Sequence, residues 1–233
     1  MNKKAEHYGH TLMELVMAIL IFSLFLIGTF AVFSYGLKSW KLVETKSDVQ
    51  NQAEVAMGRI LSELVSTDIT TLLTDKDVPP SSPVIKWVIF ETAVNSATGD
   101  VEKENASLIW KGYILYYTSP SDAGKPDKKL LRKYIPHDDR TTPKQIDLTK
   151  MSFYLTDTFN TGEELRTVAR NIYNLDIAVN PNKYIVDISL VTLKKFYEKT
   201  PGGRLAYDKD FSENAGQESV TLNASVMPRN SQD

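Results

Sequence analysis

Hydrophobic residues are concentrated in one uninterrupted stretch near the start of the chain. Residues 11–33 read TLMELVMAILIFSLFLIGTFAVF, and Glu14 is the one charged side chain among these 23 residues. A helix rises about 1.5 Å per residue, so the stretch covers roughly 34 Å, slightly more than the hydrocarbon core of a bilayer at about 30 Å. The pattern therefore predicts a helix that crosses a membrane once.

A different periodicity follows this stretch. Apolar side chains recur at spacings of three and four residues, at Val49, Ala53, Ala56, Met57, Ile60, Leu61 and Leu64. No proline occurs before Pro79, and Gly28 is the only obvious position at which the helix would be weakened. We therefore predict a single helix over residues 11–65, roughly 80 Å long, whose second part packs one apolar face on a sheet. A coiled-coil dimerisation helix is the alternative for residues 49–64.

Much of the remaining chain alternates between apolar and polar positions, as half-buried strands do. Residues 173–179 and 184–190 alternate on either side of a turn at 180–183, which predicts a β-hairpin whose buried row begins at Tyr173. Residues 220–226 predict a strand near the C-terminus. Other strands are predicted at residues 84–90, 107–117, 130–135 and 151–155, with loops at 119–126, 136–143 and 200–216. A long helix followed by antiparallel strands makes the predicted fold class α+β.

Composition excludes several classes of function. The chain has 27 basic and 29 acidic residues and a formal net charge of -2, which gives no global attraction to nucleic acid. It has no cysteine, which excludes disulfides, cysteine-ligated zinc, iron–sulfur clusters and thiol nucleophiles. The sequence also lacks a phosphate-binding loop, a nucleophile elbow and a dinucleotide-binding fingerprint.

Residues suited to metal binding or acid–base chemistry are sparse. His137 is the one histidine in the predicted globular part, and it falls with Asp138 and Asp139 in the predicted loop 136–143, which we interpret as a solvated charged turn. A second acidic group lacks the ligand spacing of a calcium loop; it consists of Asp208, Asp210 and Glu213. The sequence therefore predicts no catalytic site, no metal site and no cofactor, and the chain is not expected to be an enzyme.

Glu14 distinguishes the apolar stretch from a plain anchor. A secretory signal peptide fits poorly, because the stretch is longer than the usual apolar region and no clear small-x-small cleavage site follows it. A signal anchor fits better but leaves a carboxylate in lipid unexplained. Thr11 and Glu14 also have the spacing of a capping box, in which Thr11 is the N-cap and Glu14 bonds back to its amide. Lysines flank both ends, so charge bias alone does not orient the helix.

The residues around the start of the stretch resemble a known leader. Lys3 and Lys4 are followed by Gly9-His10-Thr11-Leu12-Met13-Glu14-Leu15. This order resembles the class III leader of type IV prepilins and pseudopilins. The resemblance implies that a membrane aspartyl peptidase cuts after Gly9, that His10 becomes the new N-terminus and is methylated, and that Glu14 is the glutamate that the family shares. The family usually has phenylalanine where His10 stands.

The implied cleavage gives a chemical reason for the spacing between Gly9 and Glu14. It leaves a cation at His10 and an anion one helical turn away at Glu14, while the apolar helix is retained. Where such helices stack, Glu14 of one subunit meets the amine of its neighbour in a low-dielectric setting, in which unpaired charges are costly. N-methylation keeps the positive charge. The pair would set the register of subunits in a filament.

The resemblance also divides the chain into segments. A cleaved leader at residues 1–9 precedes a transmembrane or filament-core helix at 10–36, an amphipathic continuation at 37–67 and an extracytoplasmic β-rich domain at 68–233. It implies a single-pass protein of the cell inner membrane, with its N-terminus in the cytoplasm and its domain in the periplasm, that is incorporated into a pilus-like filament.

Residues 52–64 and the run Met227-Pro228-Arg229-Asn230 resemble the J-type minor pseudopilin of type II secretion and the W-type minor pilins. This implies a pilin-like structural subunit near the filament tip that helps to initiate assembly and protein export. The implied partners are the prepilin peptidase and N-methyltransferase, I- and K-type minor subunits, the major subunit, the inner-membrane assembly platform and membrane lipid, without nucleic acid. A minor pilin that serves adhesion, motility or DNA uptake is the alternative, followed by a signal-anchored periplasmic domain or a secreted β-protein.

Overall fold

The computed structural model describes residues 11–77, 85–95, 98–101, 103–104, 107–122, 128–180, 184–195 and 217–228. Their contacts form two compact units, Met1–Thr45 and Lys46–Asp233. Helix α1, Leu12–Leu64, supplies nearly all of the described part of the first unit and continues into the second. The predicted loop 200–216 lies outside the described residues, as do residues 181–183 of the predicted hairpin turn.

The second unit contains the strands. Within the described ranges they are β1 (Leu73–Thr74), β2 (Trp87–Thr92), β3 (Lys103–Glu104), β4 (Ser107–Leu108), β5 (Trp110–Thr118), β6 (Lys128–Arg140), β7 (Glu164–Asn180), β8 (Ile185–Lys195) and β9 (Gln217–Val226). A short helix, α2, spans Met151–Tyr154. Strands occupy most of the predicted regions 107–117, 130–135, 173–179, 184–190 and 220–226, and part of 84–90.

Seven of these strands form one antiparallel sheet in the order β1-β2-β5-β6-β7-β8-β9. Strands β3 and β4 pair separately with each other. Strands that follow one another in the chain are mostly neighbours in the sheet, as antiparallel connections allow. The α+β fold class is therefore confirmed: the end of a long N-terminal helix packs on a curled antiparallel sheet.

Strand β7 joins two parts of the sheet. It pairs with β6 up to Ile172 and with β8 from Ile172 onwards. The register shifts here, and Asn171 has a φ of 60°, a left-handed conformation that asparagine tolerates. The shift places Ile172 in the core, whereas Tyr173 is 46% exposed. The prediction that Tyr173 belongs to the buried row is therefore wrong, because a shift of one residue exchanges the two faces.

The apolar stripe of α1 packs on one face of the sheet, as predicted. Ala53, Ala56, Ile60 and Leu64 have no exposed surface. They share a core with sheet residues Val88, Phe90, Ile114, Tyr116, Leu130, Tyr134, Ala169, Ile172, Leu175, Ile177, Val186, Ile188 and Leu190. Among the described residues the stripe thus contacts strands rather than a second long helix, so the coiled-coil alternative is wrong.

A second core lies on the opposite face of β2, β5 and β6. Trp87, Ile89 and Leu115 belong to it, and Ile146 and Met151 cover it. Every residue of β2 is buried. Burial on both faces explains why these strands read as nearly continuous apolar runs rather than as alternating patterns.

The segment 151–155, predicted as a strand, forms helix α2 instead. The side chain of Asp147 accepts hydrogen bonds from the backbone N–H and the hydroxyl of Thr149, at 3.0 and 2.7 Å. The capped turn Leu148–Lys150 continues into α2 and places Met151 in the second core. An aspartate cap therefore outweighs the apolar pattern of so short a segment.

Strand β6 extends into the region predicted as the loop 136–143. Pro136, which lacks an N–H donor, pairs with Gly112 beside a register shift in β5, where a missing ladder bond is tolerated. The strand continues to Arg140, opposite Trp110. His137 consequently lies on a strand with only 11% of its side chain exposed, so its interpretation as part of a solvated turn is wrong.

Gly112 allows β5 and β6 to approach closely. A Cβ at this position would lie 2.7 Å from the Ile135 carbonyl oxygen and 2.7 Å from the Tyr134 ring. Because that backbone cannot shift cheaply, Gly112→Ala is expected to lower the free energy of unfolding by about 1–3 kcal/mol. Denaturant unfolding of the full chain in detergent micelles measures this change.

Gly58 provides the matched control for Gly112. It lies inside α1, and a Cβ there would have no heavy atom within 4 Å. Gly58→Ala is therefore expected to raise the free energy of unfolding by about 0.5–1 kcal/mol, because alanine favours a helix interior. Changes of the same sign at both positions would contradict the close approach at Gly112.

Candidate functional site

Helix α1 begins with a reciprocal pair of hydrogen bonds between Thr11 and Glu14. The backbone N–H of Thr11 donates to Glu14 Oε2 at 2.9 Å, and the N–H of Glu14 donates to Thr11 Oγ1 at 3.3 Å. The N–H of Leu15 donates to the Thr11 carbonyl oxygen at 3.2 Å. This is the capping box that the spacing predicts, and it holds the carboxylate at the positive end of the helix dipole.

The helix surface beyond Glu14 is apolar and exposed. Its large apolar side chains, from Leu12 to Val43, are between 44% and 82% exposed. The hydroxyls of Ser23 and Thr29 donate to carbonyl oxygens one turn earlier, at 2.7 and 2.8 Å, so these polar groups are satisfied within the helix. Helix α1 is therefore long and apolar enough to cross a membrane once.

Of the predicted site residues, Glu14 lies at the beginning of this helix. Glu14 occupies the first turn and its side chain is exposed, while Gly9 and His10 fall outside the described residues. Glu14 Oε2 accepts a hydrogen bond from the Thr11 backbone N–H. When the surrounding apolar surface is covered by lipid or by another helix, the carboxylate loses water and is stabilised by a cation. The site is thus suited to pairing with a positive group.

A second group of charges is buried around Glu91, whose side chain has no exposed surface. Its Oε1 lies 2.8 Å from His137 Nε2 and 3.2 Å from Arg140 Nε, and its Oε2 accepts a hydrogen bond from the Lys144 backbone N–H at 2.6 Å. Oε1 and Nε2 are not aligned as a hydrogen bond, so their contact is electrostatic. The group ties β2 to the end of β6 and to the segment that follows it.

His137 and Arg140 are held by further contacts. The ring of His137 meets that of Tyr113 edge-on with centroids 5.0 Å apart, and the Arg140 guanidinium lies 5.7 Å from the Tyr113 centroid. His137 Nδ1 lies 2.7 Å from the Asp138 carbonyl oxygen and 3.3 Å from Arg140 Nε. An open groove of about 640 Å³ lies beside Arg140 and Lys144. The charges around Glu91 are thus balanced within the domain.

Lys133 is a buried cation with oxygen partners. Its Nζ donates to the carbonyl oxygens of Tyr154 and Thr158 at 2.8 and 2.7 Å and to Thr156 Oγ1 at 3.3 Å. Glu163 Oε2 lies 3.8 Å from the same nitrogen. Burial lowers the pKa of Lys133, and the nearby carboxylates partly offset this effect. The ammonium group fixes the segment after α2 against β6.

A further group of charges joins α1 to the sheet. Arg132 Nε lies 2.9 and 3.0 Å from the two carboxylate oxygens of Glu63, and the Tyr116 hydroxyl donates to Glu63 Oε2 at 2.6 Å. Arg59 Nε, one helical turn earlier, is 3.5 Å from Glu63 Oε1. Burial acts to lower the pKa of Arg132, but Glu63 and Tyr116 together raise it. The directional contacts fix the rotation of α1 on the sheet.

Sequence reasoning missed these groups because their members are far apart in the chain. Glu63 is 69 residues from Arg132, and Glu91 is 53 residues from Lys144. The available signal was the adjacent pair Arg132 and Lys133 inside the apolar run 130–135. Adjacent strand residues point to opposite faces, and a buried charge on either face needs partners.

Glu14 and the apolar surface of α1 therefore form the candidate functional site, since the three buried groups are engaged within the domain. In the part of the chain that the structure describes, no group of three or more histidine, aspartate or glutamate side chains is arranged to hold a metal ion. No protein-family model matches the chain, and no curated protein or solved structure is significantly similar to it.

Proposed function

We propose that the chain is a structural subunit of a type IV pilus-like filament, in particular a minor pseudopilin at the tip of a type II secretion pseudopilus. The observation that carries the proposal is Glu14, a carboxylate in the first turn of an exposed apolar helix, four residues after His10. The capping box does not require this charge, because glutamine completes the same box, and a carboxylate in lipid is costly. The resemblance of residues 3–15 to a class III leader supplies the partner, the N-terminal amine of a neighbouring subunit.

The capping box supports this mechanism. Cleavage after Gly9 would place the new amine two residues before Leu12, the first helical residue. Thr11 holds the Glu14 carboxylate at the same helix end. When two apolar helices pack side by side, the amine of one subunit can pair with Glu14 of the other in a low-dielectric setting, and a wrong register leaves both charges unpaired. Glu14 would thus select one axial register.

The continuity of α1 suits the same role. The helix runs without interruption from the apolar stretch to Glu63, which binds Arg132 on the sheet. Anchor and domain therefore share one element. In this proposal the N-terminus is cytoplasmic, the domain is periplasmic, and the partners are the prepilin peptidase, the I- and K-type and major subunits, the assembly platform and membrane lipid.

Substitutions can separate the charge of Glu14 from its capping role. Glutamine also completes a capping box, so Glu14→Gln keeps the helix start and removes the charge. We expect it to reduce incorporation into sheared filaments by about tenfold or more, the factor that corresponds to about 1.4 kcal/mol of lost pairing. Thr11→Ala removes the cap hydroxyl and keeps the charge, and it should leave incorporation nearly unchanged. Immunoblots of filament and membrane fractions measure both, with Glu44→Gln on the same helix as the matched control.

The N-terminus of the native protein gives an independent test. Sequencing of protein from native membranes should begin at His10. A chain that begins at Met1 or after residue 33, or normal incorporation of Glu14→Gln, contradicts the proposal and favours a signal-anchored binding domain. Co-purification with I- and K-type subunits distinguishes a secretion pseudopilin from a minor pilin of a type IV pilus.

A further inference from the structure

Among the described residues, strand β9 is the last strand of the sheet. It pairs with β8 in unbroken register from Val226 opposite Val186 to Gln217 opposite Lys195. Among the described residues, no strand pairs with its other side. About half of the backbone N–H and C=O groups of β9 therefore point away from the sheet. The natural match for such a row of donors and acceptors is an extended chain, which pairs with it as an added strand.

From Ser219 onwards, the edge of β9 has none of the features by which edge strands avoid pairing. From Ser219 to Val226 it contains no charged residue, no proline and no register shift. The opposite edge of the sheet, β1, is only two residues long, Leu73–Thr74. Protected edges are usually short, charged or bulged, as β1 illustrates by its length. The contrast indicates that the edge of β9 is suited to accept a strand.

The inward face of β9 leaves the core incomplete. Val220, Leu222, Ala224 and Val226 pack against the core but remain partly exposed. The apolar β8 residues that lie opposite three of them are at most 1% exposed. An added strand with apolar side chains on this face would cover the exposed part of the row and extend the core by one strand.

The outward face has a shallow acidic hollow of about 380 Å³ beside the same edge. Small side chains line it, including those of Ala178, Ser189 and Ser225. Its acidic groups differ in their partners: Asp176 is paired with Lys76 Nζ at 2.7 Å, whereas Asp187 accepts a hydrogen bond from the Ser225 hydroxyl and forms no ion pair with a described residue. The hollow therefore favours a basic side chain that enters from the edge.

We propose that β9 binds an extended segment of a partner protein as an added strand, with apolar side chains inward and lysine or arginine outward. Ser225 lies opposite Asp187. A residue opposite Ser225 on the added strand is then two strand spacings, about 9.6 Å, from Asp187, and an extended basic side chain spans the small serine to reach that carboxylate. The backbone ladder provides affinity and the alternating pattern provides specificity. The inference concerns the sheet domain and does not depend on the filament role.

Peptide binding tests the two parts of the proposal separately. The probe is a fluorescein-labelled peptide in which valine and lysine alternate, long enough to cover β9, and its binding to the full chain in detergent micelles is followed by anisotropy. N-methylation of the amides that face β9 should weaken binding at least about tenfold, because it removes the ladder bonds. Replacing the lysines with glutamate should weaken it by a similar factor, because it opposes the charge of Asp187.

Protein variants complete the test. Asp187→Asn keeps an oxygen for the Ser225 hydroxyl and removes the charge, so it should reduce affinity for the lysine peptide but not for a valine–threonine peptide. Thr221→Lys places a charge on the exposed outward row and should reduce affinity for the lysine peptide about tenfold, with unchanged circular dichroism. Equal binding of the N-methylated peptide, equal binding of the glutamate peptide, or no binding overturns the proposal. So does a dimer that Thr221→Lys converts to a monomer, because the occupant would then be a second copy.

Discussion

Glu91→Ala is expected to lower the free energy of unfolding by about 3–5 kcal/mol. The substitution leaves the Arg140 and His137 side chains without their carboxylate and the Lys144 N–H without its acceptor. The unsatisfied amide alone accounts for about 1–3 kcal/mol. Denaturant unfolding of the full chain in detergent micelles measures the loss, with the buried Trp87 as a fluorescent reporter on the same strand.

Glu164→Ala is the matched control for Glu91→Ala. Glu164 pairs with Arg166 at 3.0 Å, and 57% of the Arg166 side chain is exposed, so the loss should be below about 1 kcal/mol. Glu91→Gln keeps an oxygen for the Lys144 N–H and removes only the charge, so its effect should fall between the two. A loss below about 1 kcal/mol for Glu91→Ala would mean that Arg140 and His137 regain water freely, contrary to the buried arrangement.

The elements that the sequence predicts well depend on neighbouring residues. The apolar stretch 11–33 and the stripe from Val49 to Leu64 each follow from spacings within one helix, and both lie in α1. The capping box needs only Thr11 and Glu14, three residues apart. The β7–β8 hairpin follows from two adjacent alternating runs. Local spacing therefore suffices for the helix, for the hairpin and for the start of the candidate site.

The wrong predictions come from small structural irregularities that a regular alternation of apolar and polar residues does not reveal. The register shift beside Asn171 exchanges Ile172 and Tyr173 between core and surface. The cap at Asp147 turns a short apolar segment into α2. Pro136 looks like a loop residue, yet β6 passes through it because its partner Gly112 lies beside another shift. Each case depends on how one residue pairs with a partner strand or caps a turn. The alternation of apolar and polar residues carries no information about these contacts.

Strand β6 shows why the buried charges could not be predicted in detail. Arg132 and Lys133 are neighbours in sequence but have separate partners, Glu63 on α1 for the first and the carbonyl oxygens of Tyr154 and Thr158 for the second. Their position in an apolar run shows that partners are needed, but the partners come from segments that only the folded chain brings together. β6 thus connects the helix on one face with the covering segment on the other.

The second large effect that we expect is a loss of folding stability at high pH. Tyr116 and Tyr117 have no exposed surface, and burial raises the pKa of both above the ordinary value of 10, with further increases from Glu63 at Tyr116 and Asp157 at Tyr117. In the unfolded chain these phenols ionise near pH 10. Above that pH the unfolded state binds fewer protons than the folded state, so stability falls as pH rises. The slope is about 1.4 kcal/mol per pH unit for each tyrosine.

Lys133 has the opposite effect on the free energy of unfolding, and it acts over a lower range of pH. Because burial lowers its pKa from the ordinary 10.5, the unfolded chain holds this proton more tightly, and stability rises with pH up to about the ordinary value. This contribution is complete at higher pH, where both states have lost the proton. The tyrosines therefore determine the alkaline limit, and the combined slope of Tyr116 and Tyr117 is about 2.7 kcal/mol per pH unit.

Unfolding measured from pH 8 to pH 12 in detergent micelles tests this expectation. Tyr117→Phe loses the hydrogen bond from the phenol to the Thr156 carbonyl, at 2.5 Å, so it should cost about 1 kcal/mol at pH 8. Above pH 10 its slope should be shallower than that of the native chain by about 1.4 kcal/mol per pH unit. Tyr184→Phe, at a position that is 47% exposed, is the matched control for removing a phenol. If Tyr117→Phe keeps the native slope, the buried phenol ionises without unfolding, and the alkaline limit must arise from other groups.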